Sequence, residues 1–185
     1  MKRYTLKYIF CGRFPRVFWR FFEKLLRLFH IITGMLKEII QLSKGVILIT
    51  GNAKKITRIL LNTWLSNGMT FLVEYLPFDV RYPENVFIGD LNKGVEFDGY
   101  LIYNLLSRSK NERARIYEWI KEHHDKLILI YETKYMKDSA LRYGIKELIN
   151  YLIAYKRETL GFERIDVYKF KEGKVVEKKT FVRRV

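Results

Sequence analysis

The stretch that most constrains the fold is Gly45–Thr57, which reads GVILITGNAKKIT. Its apolar run, Val46–Thr50, has the length and composition of a buried strand, and a helical pattern begins soon after Gly51. In a strand–glycine–helix unit, the backbone N–H groups of the turn and of the first helical turn point at one place, where the helix dipole favours an anion. The stretch therefore predicts an α/β fold of the nucleotide-binding kind.

The loop in this stretch is shorter than a working phosphate loop, whose pattern is GxxxxGK[ST]. Only Asn52 and Ala53 separate Gly51 from the two lysines that follow, so the second glycine is missing. We interpret the loop as the remnant of a phosphate site. Its candidate phosphate-binding residues are Gly51, Lys54, Lys55 and Thr57.

The rest of the chain alternates apolar runs with amphipathic patterns, which is typical of a parallel sheet covered by helices on both faces. Strands are predicted at Val46–Thr50, Thr70–Leu76, Tyr100–Leu106 and Lys126–Tyr131, and helices at Ala53–Ser66, Lys110–His124 and Ser139–Arg157. The chain then reads as an antiparallel hairpin, with strands Glu163–Phe170 and Val175–Arg183 around a turn. The short apolar piece Val86–Ile88 is left in a looser region from Pro77 to Gly99.

Two of the helices rest on specific signals. Ser109 and Glu112 have the S-x-x-E spacing of a capping box, which opens the helix at Lys110. The last helix rests on a repeat of apolar residues at helical spacing, namely Leu141, Ile145, Leu148, Leu152 and Tyr155.

Residues 1–34 differ from the remainder, and we divide the chain into a basic, aromatic extension (1–34) and an α/β domain (35–185). The extension holds eight Lys and Arg against one Glu, and from 15 to 32 its basic and aromatic side chains fall on opposite faces of an amphipathic helix. Such a helix lies in a membrane interface or packs on a core. A third interpretation is that Met35 is the biological start.

The whole chain carries a formal net charge of +15, which favours polyanionic partners such as nucleic acid or an acidic membrane surface. The single cysteine, Cys11, excludes an intramolecular disulfide and fits a reducing cytoplasm. Abundant Lys, Glu and Ile with a single Gln resemble the amino-acid usage of a thermophile. The three histidines lack the spacing of a metal site, and we expect no bound metal.

With these motifs, residues 45–185 resemble the core of the RecA/RadA/KaiC-like ATPases. In that family a strand leads to the phosphate loop, and the third strand ends in an aspartate that serves magnesium. Here the corresponding stretch, Tyr100–Asn104, ends in asparagine, which supplies no anion for the metal. The resemblance implies a catalytically inactive paralogue with degenerate Walker A and Walker B motifs. It also implies an accessory role in DNA recombination or repair, with DNA or an active recombinase as partner and at most residual ATP binding.

A competing interpretation is a metal-dependent nuclease similar to the PD-(D/E)xK family. Glu132 and Lys134 have the E-x-K spacing at a strand end, and Asp98 would be the earlier acid. The two carboxylates would bind Mg²⁺ and the lysine would polarise the water or the scissile phosphate. Against this, a capped helix separates the two acidic strands, where such nucleases have a hairpin. A third alternative is a membrane-surface or protein-interaction module.

The candidate nucleic-acid-binding residues lie around the predicted last helix and on the C-terminal tail. Contacts from such residues to phosphates would be non-specific and sensitive to salt. They are Lys134, Lys137, Arg142, Lys146, Lys178, Lys179, Arg183 and Arg184.

Overall fold

The computed structural model describes residues 36–91, 96–135, 145–158 and 161–184, apart from the side chain of Arg183. From Glu38 onward these residues belong to one compact unit. The interpretations placed on residues 1–34, namely the amphipathic helix, the membrane contact and the alternative start at Met35, lie outside the described residues and stay predictions. The candidate residues Lys137 and Arg142 also lie outside them.

The elements of the described chain confirm an α/β protein. The strands are β1 (Gly45–Thr50), β2 (Phe71–Val73), β3 (Val86–Ile88), β4 (Gly99–Tyr103), β5 (Leu127–Glu132), β6 (Tyr151–Arg157), β7 (Phe162–Lys171) and β8 (Lys174–Arg184). Two longer helices, α1 (Lys54–Ser66) and α2 (Lys110–Glu122), and two 3₁₀ turns, Pro83–Asn85 and Leu105–Ser107, connect them.

All eight strands belong to one mixed sheet in the order β3-β2-β4-β5-β1-β6-β7-β8. The pairs from β3 to β6 are parallel, whereas β6–β7 and β7–β8 are antiparallel. The prediction of a mainly parallel sheet that ends in a C-terminal hairpin is therefore confirmed. None of the described helices is long and apolar enough to cross a membrane.

Alternation along the strands gives the sheet two apolar faces, and one described helix packs on each. Leu48, Ile102 and Ile130 point to the face of α2, whose buried Ile120 joins the same hydrophobic cluster. On the opposite face, the Trp64 ring of α1 stacks on Phe71 of β2 with centroids 6.0 Å apart. Strands buried on both faces explain why the parallel core reads as nearly continuous apolar runs.

The predicted helix from Ser139 to Arg157 is wrong in its C-terminal part, because Tyr151–Arg157 is β6. This strand pairs with β1 on one side and with β7 on the other, and Leu152 and Ile153 are fully buried. The apolar run Tyr151–Ala154 fits a buried strand as well as a helical repeat, and pairing with two neighbours decides between them. In the same way, Val86–Ile88 becomes β3 because it pairs with β2.

The helix start predicted from Ser109 and Glu112 is confirmed. The Ser109 side chain accepts the backbone N–H of Glu112, and the Glu112 carboxylate accepts the backbone N–H of Ser109. This reciprocal pairing satisfies N–H groups that a helix start leaves without an intrahelical partner.

Candidate site at the carboxyl edge of the sheet

The carboxyl ends of the parallel strands meet at one edge of the sheet, which we call the carboxyl edge. Open parallel sheets bind ligands at this edge, in the crevice between neighbouring strands whose connections leave toward opposite faces. Here β1 leads into α1 on one face, whereas Ile145 and Ile149, which follow β5, belong to the cluster on the α2 face. In this fold such a crevice would lie between the ends of β1 and β5.

This crevice is closed by the chain itself. The backbone N–H of Gly51 donates to the carbonyl oxygen of Lys134, with an N···O distance of 3.0 Å, and so ties the end of β1 to the segment after β5. On its other side Gly51 packs on β6, where a Cβ at position 51 would lie 1.9 Å from the Tyr155 carbonyl oxygen. Gly51 also has a φ of +87°, which favours glycine. The glycine is thus required by packing, independently of any phosphate.

The start of α1 shows how the residues of the predicted phosphate site are placed. Lys54 and Lys55 are exposed, and no side chain caps the first turn of the helix. Thr57, however, is fully buried, and its hydroxyl donates to the carbonyl oxygen of Ala53 at 3.1 Å. The hydroxyl that a phosphate loop offers to magnesium therefore makes a contact within its own helix.

Asn104 follows β4, at the position where the predicted resemblance to RecA-like ATPases would require a metal-handling aspartate. Its backbone is left-handed, with a φ of 48°, a conformation that Asn tolerates better than most residues. Its side-chain oxygen accepts the backbone N–H and the hydroxyl of Thr133, at 3.0 and 3.1 Å. Asn104 thus joins the end of β4 to the residue after β5.

Glu132, the last residue of β5, is only 3% exposed. One of its carboxylate oxygens accepts the backbone N–H of Leu106 at 2.7 Å. Burial raises the pKa of Glu132 above its usual value, because the charged form loses its hydration, and the bond from Leu106 only partly offsets this. The carboxylate therefore acts as an internal acceptor for the turn after β4.

The predicted pairing of Asp98 with Glu132 as a nuclease site is wrong, because the two carboxylates lie at opposite edges of the sheet. Asp98 precedes β4, whose first residue, Gly99, pairs with Leu127, whereas Glu132 ends β5. Five residues of strand correspond to roughly 17 Å. Of the three residues predicted for this site, only Glu132 and Lys134 are close together, and they are close because they are near in sequence. Within the described ranges, no three His, Cys, Asp or Glu residues are grouped so that they could hold a metal ion.

Cations surround the closed crevice and continue along the carboxyl edge onto the hairpin. They are exposed, and none forms an ion pair with another described residue. Register places them at this edge, because β6 ends beside the start of β7 and the end of β8. We call this set the basic rim: Lys54, Lys55, Lys134, Lys156, Arg157 and Arg184.

The remaining described candidates for nucleic-acid binding are dispersed. Lys178 is exposed in the middle of β8, with its ammonium 5.0 Å from the Tyr168 ring centroid. Lys179 is paired with Glu177 and Glu38, and Lys146 is half-buried in the turn before β6, at the opposite edge of the sheet. Lys156 and Arg157 were not among the candidates, since they fall at the end of a run that sequence alone interprets as helical.

A separate open groove of about 850 Å³ lies between α2 and residues 89–91. Five acidic side chains and two arginines line it. The negative charge of its lining disfavours a polyanion. No motif in the sequence predicts this groove. The acidic lining residues are Glu74, Asp90, Glu112, Glu118 and Glu122.

Comparison with known proteins assigns no family to this chain. No protein-family model matches the sequence, and no curated protein matches it. Among solved structures, the chain is similar to the N-terminal domain of zonular occludens toxin from Neisseria meningitidis, with a TM-score of 0.43 and 11% identity. The match covers 75% of this chain and 93% of the other. At this level the similarity carries no argument about function, so the protein is defined as an α/β protein with a mostly parallel, mixed sheet.

Proposed function

We propose that this protein is a catalytically inactive relative of nucleotide-binding proteins with RecA-like layout, and that it binds nucleic acid as an accessory protein. The observation that carries the proposal is the closed crevice between β1 and β5, where the Gly51 N–H is bonded to the Lys134 carbonyl. A triphosphate would have to displace this bond and would meet the Tyr155 carbonyl oxygen next to Gly51.

The two groups that would serve magnesium in an ATPase, an acidic side chain after β4 and a free hydroxyl at the start of α1, are also not available at this edge. Asn104 is neutral and is engaged by Thr133, while the Thr57 hydroxyl is buried against Ala53. A magnesium–nucleotide complex needs an anionic group and the loop hydroxyl in just these places. We therefore infer that the fold is retained as a scaffold and that nucleotide turnover has been lost.

The basic rim supports nucleic acid as the ligand. Six exposed cations lie along the carboxyl edge of the sheet, and the whole chain has a net charge of +15. Contacts to phosphates require only that a cation is exposed. Binding of this kind is independent of sequence. The resemblance to recombinases suggests DNA under recombination or repair as the setting, with an active relative as a further partner.

The first experiment tests the loss of nucleotide chemistry. Purified protein should neither retain ATP in equilibrium dialysis nor release phosphate above the buffer rate with magnesium. Asn104→Asp should not restore turnover, because Thr57 stays buried and Gly51 stays bonded to Lys134. Magnesium-dependent hydrolysis that is abolished by Lys55→Ala would overturn this part of the proposal.

The second experiment tests the basic rim. Affinity for a labelled DNA should fall steeply with salt, and a variant that combines Lys156→Ala and Arg157→Ala should lower the log–log salt slope by about 1 to 2. Lys121→Ala is the matched control, since Lys121 is an exposed lysine of α2 that pairs with Glu118. An unchanged slope in the double variant would contradict the rim, and metal-dependent DNA cleavage would contradict a purely binding role.

A further inference from the structure

Three tyrosines form a row on the α1 face of the carboxyl edge. Tyr75 follows β2, Tyr103 ends β4 and Tyr131 lies near the end of β5, and these three strands are neighbours in the sheet. The ring centroids of Tyr75 and Tyr103 are 5.1 Å apart, and those of Tyr103 and Tyr131 are 5.7 Å apart. We call this row the tyrosine ladder.

The ladder is anchored at one end and open at the other. Tyr131 is fully buried, and its hydroxyl has no hydrogen-bond partner among the residues that the structure describes. Burial raises the pKa of Tyr131 to about 12. Tyr103 is half-buried, whereas Tyr75 is 56% exposed and its ring rests against Tyr103 in a tilted, edge-on arrangement. Because the contact with Tyr103 already restricts the Tyr75 ring, stacking of another ring on its exposed face would cost little rotamer entropy.

Exposed cations continue from the basic rim along α1, which packs on the same face of the sheet as the ladder. Lys54, Arg58 and Asn62 follow one another at i, i+4 spacing and so share one face of α1. The Asn62 side-chain oxygen accepts the backbone N–H of Arg81 at 2.8 Å, which ties the loop after Tyr75 to this face. Lys54 of the basic rim and the exposed Arg58 therefore lie along the same face of α1 as the contact to this loop.

We infer that the tyrosine ladder is a base-stacking surface, with Tyr75 as the contact residue, and that it directs the protein to single-stranded nucleic acid. The inference rests on the proposed function and names its substrate class. Proteins that bind single strands without sequence preference combine a basic path for the backbone with exposed aromatic rings for the bases. In a duplex the base faces are already stacked and cannot reach Tyr75, so only a single strand uses both features.

The test compares a fluorescently labelled oligothymidylate with a hairpin duplex of equal phosphate number, by anisotropy at one fixed salt concentration. Tyr75→Ala should weaken binding of the single strand about tenfold, within the range for loss of one stacked base. Tyr75→Phe should keep full affinity, because it keeps the ring. Phe87→Ala is the matched control: Phe87 is 46% exposed and contacts another ring, Phe97, but β3 register places it on the opposite face.

Duplex affinity should be the same in the parent protein and in all three variants, and melting curves should show that each variant is folded. Equal losses for single strand and duplex, or no loss in Tyr75→Ala, would overturn the ladder while leaving the basic rim in place. Failure of the parent protein to bind either nucleic acid would overturn the proposed function together with the ladder. A loss in Phe87→Ala as large as in Tyr75→Ala would also overturn the assignment.

Discussion

The carboxylates at the two edges of the parallel sheet, Glu132 and Asp98, lie in opposite environments. At the carboxyl edge, Glu132 is buried and accepts a backbone N–H from Leu106, and its pKa is raised because burial disfavours the charge. At the opposite edge, where the strands begin, Asp98 is exposed and accepts both the N–H and the hydroxyl of Thr70, each at 2.8 Å. These bonds hold the pKa of Asp98 below its usual value.

The carboxyl edge is also where the chain closes the crevice between β1 and β5. At the amino edge, side chains bond to backbone and to one another at the surface, as in the pair of Lys126 with Glu96 at 3.6 Å. At the carboxyl edge, backbone meets backbone, since Gly51 lies against Tyr155 and is bonded to Lys134. At the edge that holds a ligand in related architectures, the crevice is therefore occupied by the chain's own backbone.

The largest expected effect is that of Gly51→Ala. The left-handed backbone costs about 1–2 kcal/mol for a residue with a Cβ, and the new Cβ would lie 1.9 Å from the Tyr155 carbonyl oxygen. We expect a loss of roughly 3–5 kcal/mol in the free energy of unfolding, measured by urea denaturation. Gly68→Ala is the control, because Gly68 has a similar φ of +84° but nothing within 4 Å of its added Cβ.

If the carboxyl edge is closed as described, Gly68→Ala should cost only the backbone term and Gly51→Ala considerably more. Equal losses of unfolding free energy in the two variants would mean that a Cβ at position 51 meets no steric obstacle. The comparison between the two edges would then fail at its central point.

An intermediate effect is expected from Asp98→Ala at the amino edge. Removing the acceptor of two bonds from Thr70 should cost about 1–2 kcal/mol, toward the lower value because Asp98 is exposed. That corresponds to a fall of about 2–8 °C in melting temperature for a domain of this size.

The pH dependence of the Asp98 effect has a definite sign. A lowered folded-state pKa gives stability that is present above the unfolded pKa, about 3.9, and is lost as the pH falls through the folded-state value. The difference in melting temperature between parent and Asp98→Ala should therefore shrink in acid. A difference that is constant from neutral pH into acid would contradict the charged bonds to Thr70.

The smallest effect, with the opposite sign, is expected from Glu132→Gln. The amide keeps an oxygen for the Leu106 N–H and removes the buried charge. Because the folded-state pKa is raised, the parent loses stability as the pH rises from about 4.3, the unfolded value, through the folded-state value. At neutral pH the variant should melt at the same temperature as the parent or a few degrees higher, and this gain should vanish in acid. A marked fall at neutral pH would show that the carboxylate is needed as a charge.

The tyrosine ladder could not be predicted from the sequence, because its three residues become neighbours only in the folded sheet. Tyr75, Tyr103 and Tyr131 come from three runs that are far apart in the chain, and only the strand order β2-β4-β5 makes them neighbours. Asp98 and Glu132 show the reverse. Asp98 lies before the strand predicted at Tyr100–Leu106 and Glu132 follows the one predicted at Lys126–Tyr131, so they fall at opposite edges once β4 and β5 pair in parallel. Register, which fixes both cases, depends on pairing over long sequence separations.

The sequence by itself determined the local units: the strand Val46–Thr50 with its glycine turn, the capping box at Ser109 and the terminal hairpin. Each depends on backbone conformation, side-chain capping or the alternation of apolar residues within a few positions. These local preferences do not depend on where the segment lies in the fold. Only the tertiary structure decided that Tyr151–Arg157 is a strand. Its apolar run fits the spacing of a helix as well as that of a buried strand, and pairing with β1 and β7 on its two sides decides for the strand. It also decided that Gly51 closes the crevice, since the carbonyl groups of Lys134 and Tyr155 reach it only through the folded sheet.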